Sequence, residues 1–148
     1  MTEMYFKGPG FHMKVPSDWF ITSNPQVQAM FVAPTQNGAR ANLMITLRPL
    51  DPSATLESIV ATTLETQKKE YPEFVILEQG EYPKGDLIGH QHLYSWYNQQ
   101  HSAHIVQRQV IFIAGQMLVS ITTTRTRTGD ADDFDIILTA MLQSFEFD

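Results

Sequence analysis

The stretch HIVQRQVIFIAGQMLVSITTTRTRT, running from His104 to Thr128, decides the fold. It reads as two β-strands, Ile105 to Ile113 and Gln116 to Thr126, joined at Ala114-Gly115, where glycine accepts the positive φ of a tight turn. A two-residue turn there pairs Ile113 with Gln116, Ile111 with Leu118 and Gln109 with Ser120. Side chains alternate across a strand, so this register sorts the hairpin into two unlike faces. One face carries Val106, Val110, Phe112, Met117, Val119 and Ile121, broken only by Arg108, and is the expected core. The other carries Gln107, Gln109, Ile111, Ile113, Leu118, Ser120 and Thr122, a mixture that suits neither a plain core nor a plain solvent surface.

Upstream, Val27 to Val32 and Ala41 to Arg48 alternate in the same way and predict a second hairpin. Its minor face again mixes methionine with amides: Gln28 and Met30 on one strand, Asn42 and Met44 on the other. If the two hairpins share a sheet, Gln28, Met30, Asn42, Met44, Gln109, Ile111, Ile113, Leu118 and Ser120 form one continuous surface. Methionine adapts to irregular apolar shapes, and Gln and Asn hydrogen-bond groups that an apolar partner leaves bare. Such a surface suits an amphipathic or very apolar helix.

The remaining chain supplies the frame. Gly8-Pro9-Gly10 is a turn before the short amphipathic strand of Phe11, Met13 and Val15, and Trp19 is expected to anchor packing. Asn24-Pro25 and Pro34 to Gly38 read as a turn and a polar loop. Thr55 caps a predicted helix with Leu56, Ile59, Val60, Thr63, Leu64 and Gln67 on one stripe, and Tyr71-Pro72 ends it. Strands follow over Phe74 to Tyr82 and Leu87 to Asn98. Beyond the hairpin, Asp130 or Asp132 caps a second helix with Phe134, Ile137, Leu138 and Met141 inward, and Phe145 and Phe147 seal the core. Two main helices with strands in meander order predict a single α+β domain over residues 1–148, an antiparallel β-sheet packed as a sandwich.

Composition excludes several function classes. Ten basic against sixteen acidic residues, a formal charge of -6, leave no basic footprint for nucleic acid or anionic lipid. The absence of cysteine excludes thiol catalysis and thiolate metal sites. No apolar run approaches the ~20 residues of a membrane span, and Met1 to Lys14 lacks the apolar core of an export leader, so a soluble cytoplasmic protein without membrane insertion is expected.

Catalytic constellations are missing too. Ser95 and Ser120 lack a nucleophile-elbow context, and no glycine-rich phosphate cradle is present. His90 and His92, two apart on a strand, point to one face as some metal ligands do, but a site needs a third donor. A loop centred on His101 sets them opposite Phe112 and Val110, with His101 and His104 roughly 30 Å away along the strand. They read as histidines packed beside aromatics. Arg108 on the core face would take Tyr94 or Trp96 as a cation–π partner.

The chain resembles the PsbP/Mog-type fold and, within it, the DcrB-like domains of bacteria. The residues that carry the likeness are Val15-Pro16-Ser17-Asp18-Trp19, Ala41-Asn42-Leu43-Met44-Ile45, Tyr71-Pro72-Glu73-Phe74 and Ser144-Phe145-Glu146-Phe147. More narrowly, Arg108 to Ile113 followed by Leu118 to Thr124 is similar to the Eag-type adaptor chaperones of type VI secretion. Those are cytoplasmic dimers that hold transmembrane helices of effectors before export, and the resemblance implies that Gln28, Met30, Asn42 and Gln109 lie on the binding face. The expectation is a non-enzymatic, cofactor-free homodimeric chaperone for an apolar effector helix. The alternative is a small-molecule or metal-binding protein using His90 and His92.

Overall fold

The decisive hairpin forms, but it closes one residue later than its sequence suggests: Ala114 pairs with Met117, and Gly115-Gln116 is the loop. Gly115 takes the first loop position with φ 63°, which is what a type II′ turn asks of glycine. The pairs become Ile113 with Leu118, Ile111 with Ser120 and Gln109 with Thr122. This differs from the expected register by two residues on the partner strand, an even slip, so every side chain keeps its face.

The computed structural model describes residues 2–24, 27–34, 41–127 and 131–148. In chain order the elements are β1 (Glu3–Gly8), β2 (Phe11–Pro16), β3 (Phe20–Asn24), β4 (Val27–Val32), β5 (Asn42–Pro49), α1 (Leu56–Glu70), β6 (Val75–Lys84), β7 (Leu87–Asn98), β8 (Ala103–Ala114), β9 (Met117–Thr126), α2 (Ala131–Ser144) and β10 (Glu146–Phe147). The expected turn at Pro25, the loop after Pro34 and the Asp130 cap lie outside the described residues, as does the side chain of Asp132.

The α+β class holds, with two sheets where one was expected. A seven-stranded sheet runs β3-β4-β5-β9-β8-β7-β6, and a three-stranded sheet runs β1-β2-β10. All pairs are antiparallel, and the two expected hairpins share the large sheet through β5 and β9. The small sheet arises because Glu3–Gly8 alternates exposed and half-buried side chains and pairs along all of β2.

The core fills the space between the sheets. From the large sheet it takes Phe31, Leu43, Ile45, Val110, Phe112 and Ile121; from β2, Phe11, Met13 and Val15; from α2, Leu138, Met141 and Leu142, all at most 3% exposed. Trp19 is buried against the same cluster, as its packing role requires. Burying such side chains contributes about 1.5–3 kcal/mol each. Helix α2 and the small sheet therefore close one face of the large sheet.

Helix α1 packs on the opposite face, over β7 and β8. Thr55 caps it by accepting from the Ser58 amide, and Ser58 returns the bond to the Thr55 amide. At its other end the Tyr71 amide still donates to the Gln67 carbonyl, and Pro72 then forces the chain extended.

Strand β7 departs from expectation by one residue, and the consequence is large. Asn98 Oδ1 accepts from the Gln100 and His101 amides, so the loop spans residues 99–102 and Asn98 pairs with Ala103. An odd slip exchanges the faces of a strand. His90 and His92 therefore lie across from Ile111 and Gln109, not Phe112 and Val110. Tyr94 and Trp96 turn away from Arg108, whose guanidinium instead donates to Gln91 Oε1 at 2.6 Å and reaches Glu78 at 3.4 Å.

Candidate functional site

The mixed face is read most easily across the strands. One row runs His92, Gln109, Thr122, Met44 and Met30 from β7 to β4; a second runs His90, Ile111, Ser120 and Thr46. A third brings Tyr94, Gln107, Thr124 and Asn42 together, and a fourth Ile113, Leu118 and Arg48. Eight of the nine residues singled out in the sequence thus share this side. Gln28 is exposed and contributes to a different cavity, of about 620 Å³, beside Leu47 and Val119 at the open end between the sheets.

Helix α1 reaches this face with Gln67, the buried side chain on its stripe. Gln67 Oε1 lies 2.9 Å from His92 Nε2, and its Nε2 donates to Gln109 Oε1 at 2.8 Å. Gln109 Nε2 in turn donates to Ser120 Oγ at 3.0 Å, while His90 Nε2 lies 3.0 Å from His92 Nδ1. His90, His92, Gln67, Gln109 and Ser120 form one chain of hydrogen bonds across three strands and a helix. A second chain is shorter: Trp96 Nε1 donates to Gln107 Oε1, and Gln107 Nε2 to Thr124 Oγ1, both at 2.9 Å. Because indole nitrogen only donates, the Gln107 amide has one possible orientation.

Aromatic stacking fixes the end of α1 above this network. Tyr71 stacks on Trp96 with ring centroids 4.4 Å apart and planes at 12°. His92 stacks on Tyr94 at 5.1 Å. Burial, and secondarily the neighbouring His90, lower the His92 pKa to about 4, and burial lowers that of His90 as well. Burial thus disfavours the charged form of both rings. Each ring nitrogen of His92 already has a partner within the protein, and no group of three His, Cys, Asp or Glu side chains gathers among the described residues.

Beyond Gln67 the face is open. A cavity of about 320 Å³ lies between α1 and the sheet, with Ile59, Thr63 and Tyr71 above and Met44, Thr46, Gln109, Ile111, Leu118, Ser120 and Thr122 below. Arg48 stands at its wall, and no carboxylate lines it among the described residues. Gln67 lies on the inward stripe of α1, and its signal in the sequence is an amide where an apolar residue would ordinarily sit. Gln107, Thr46 and Thr122 fall on the same faces that alternation assigns to Gln109 and Met44 in the sequence.

The DcrB family model matches residues 12–143. The chain belongs to the DcrB family. No curated protein matches it in sequence. Among solved structures, this DcrB-family chain is similar to PA94, a Pseudomonas aeruginosa protein of unknown function, at 18% identity and TM-score 0.66, covering 95% of this chain and 94% of that one. It is similar to cyanobacterial PsbP from Synechocystis at 10% identity and TM-score 0.70, covering 99% and 93%. It is similar also to the Saccharomyces cerevisiae Ran-binding protein Mog1p at 11% identity and TM-score 0.67, covering 99% and 96%. At these identities the likeness establishes the PsbP/Mog-type fold of this DcrB-family domain. No helix among its described residues is long and apolar enough to cross a membrane.

Proposed function

We propose that this DcrB-family chain is a non-enzymatic adaptor that shields an apolar helix of a partner protein, in the manner of the Eag-type chaperones of type VI secretion that its central hairpin resembles. The observation that carries the reading is the half-covered sheet. Helix α1 packs on β7 and β8, and the strip formed by β9, β5 and β4 beside it presents Met30, Met44 and Asn42, all partly exposed. Three strands at ~4.8 Å spacing place their outer axes about 10 Å apart, the width of one helix. A helix laid there sits next to α1 as a second member of the same layer. Methionines match an apolar surface, and Asn42 and the hydroxyls of Ser120 and Thr122 serve the polar groups such a helix brings. Within the same reading two copies associate, covering the exposed Val75, Ile76 and Leu77 on edge strand β6.

The test is capture of a biotinylated 20-residue helix of Leu, Ala and Gly with terminal lysines. Wild-type protein is expected to retain it, Met44→Arg to lose it with an unchanged melting curve, and Ile136→Arg on the exposed side of α2 to behave as wild type. Equal retention by the Met44→Arg protein, or no capture by wild type, would refute the assignment.

A further inference from the structure

The cavity under α1 has a polarity that the identities of its lining residues do not reveal by themselves. Three amide side chains line it, and the carbonyl oxygen of each is already occupied from within the protein: Gln67 Oε1 by His92, Gln107 Oε1 by Trp96 and Gln109 Oε1 by Gln67. The amide carbonyls are engaged within the protein; Gln67 spends its amide hydrogens on Gln109 and the Tyr94 hydroxyl, while Gln107 and Gln109 each donate one bond and keep one hydrogen. Ser120 Oγ accepts from Gln109, so its own O–H is available to whatever enters. The hydroxyls of Thr46 and Thr122 share that floor. Arg48 adds the one charged group of the lining and has no carboxylate partner among the described residues. At about 320 Å³ the space is at the lower end of the range for small-molecule sites.

We propose that this cavity is a carboxylate site. A surplus of donors beside a guanidinium, with no competing anion, complements an acceptor-only group, and hydrogen bonds to a charged acceptor are the stronger kind. The carboxylate comes either from an Asp or Glu side chain on the helix proposed above, which rests on that reading, or from a small free acid, which does not.

Sodium butyrate is the probe for the site itself, followed at pH 7 through the side-chain amide signals of Gln107 and Gln109 and the indole signal of Trp96. Saturable shifts are expected in the wild type and their loss in Arg48→Gln, a change at an exposed residue that leaves the core untouched. No saturable shift, or the same shift in Arg48→Gln, overturns the proposal. Host helices of Leu, Ala and Gly carrying Glu, Gln or Leu at their centre then identify the source. A Glu helix held about tenfold tighter than its Gln counterpart, competing with butyrate, supports a helix-borne carboxylate. If butyrate binds and no helix does, the site stands as one for a small free acid while the adaptor reading fails. If helices bind and butyrate does not, the adaptor reading stands and the carboxylate site falls.

Discussion

Gln67 of α1 and Gln109 of β8 are joined amide to amide, Nε2 to Oε1 at 2.8 Å, by the bond that ties the helix to the middle of the mixed face. Gln67 also accepts from buried His92, so one side chain satisfies two groups that would otherwise be unpaired. Gln67→Leu is therefore expected to lower stability by about 2 kcal/mol, more than the apolar gain of leucine offsets, as read from urea unfolding. A variant as stable as wild type would show that the chain of bonds contributes nothing.

The His92 ring makes that stability depend on pH. Its folded pKa, about 4, lies below the ordinary 6.5, so between these values the unfolded chain binds the proton more readily. The stabilisation is complete above pH 6.5 and is lost as pH falls toward 4, by at most about 3 kcal/mol. Unfolding measured at pH 7.5 and 4.5 is expected to show a drop that is smaller in His92→Gln.

Replacing Gln67 with glutamate separates charge from shape. The new side chain would still accept from His92 but could not donate to Gln109, and its carboxylate would favour the imidazolium. NMR titration is expected to find the His92 pKa raised in Gln67→Glu, with a titration curve matching wild type as the contrary outcome.

Two glycines make opposite demands. A Cβ at Gly115 meets nothing within 4 Å, so its requirement is the positive φ alone, and Gly115→Ala is expected to cost about 1–2 kcal/mol in urea unfolding through backbone strain. A Cβ at Gly89 would sit 2.6 Å from both the Ile111 carbonyl and the Phe112 ring. Gly89→Ala is expected to cost about 1–3 kcal/mol in thermal or urea unfolding.

Alternation makes most of this molecule legible without coordinates. The faces of the central hairpin survive a misplaced turn because the slip is even, and Met30, Asn42 and Met44 follow from the same period. The same rule misplaces strand β7 because the side chain of Asn98 organises the loop after it, a bond that hydrophobic pattern does not encode. Strands β1 and β3 are short and pair at sheet edges, where exposed Tyr5 and Phe20 blur the contrast between inside and outside. Gln67 carries no catalytic or metal signature, and its role exists only once α1 lies on β8.

The pairing of β5 with β9 joins two parts of the chain that are each locally connected, β3-β4-β5 on one side and β6-β7-β8-β9 on the other. Met44 and Thr122, which face each other across that seam, are the floor of the cavity. Contacts of such long sequence separation carry the largest loop-closure cost in folding. Either meander by itself offers an incomplete site, and an occupant of the cavity would select the assembled large sheet, stabilising the one junction within it that no local connection secures.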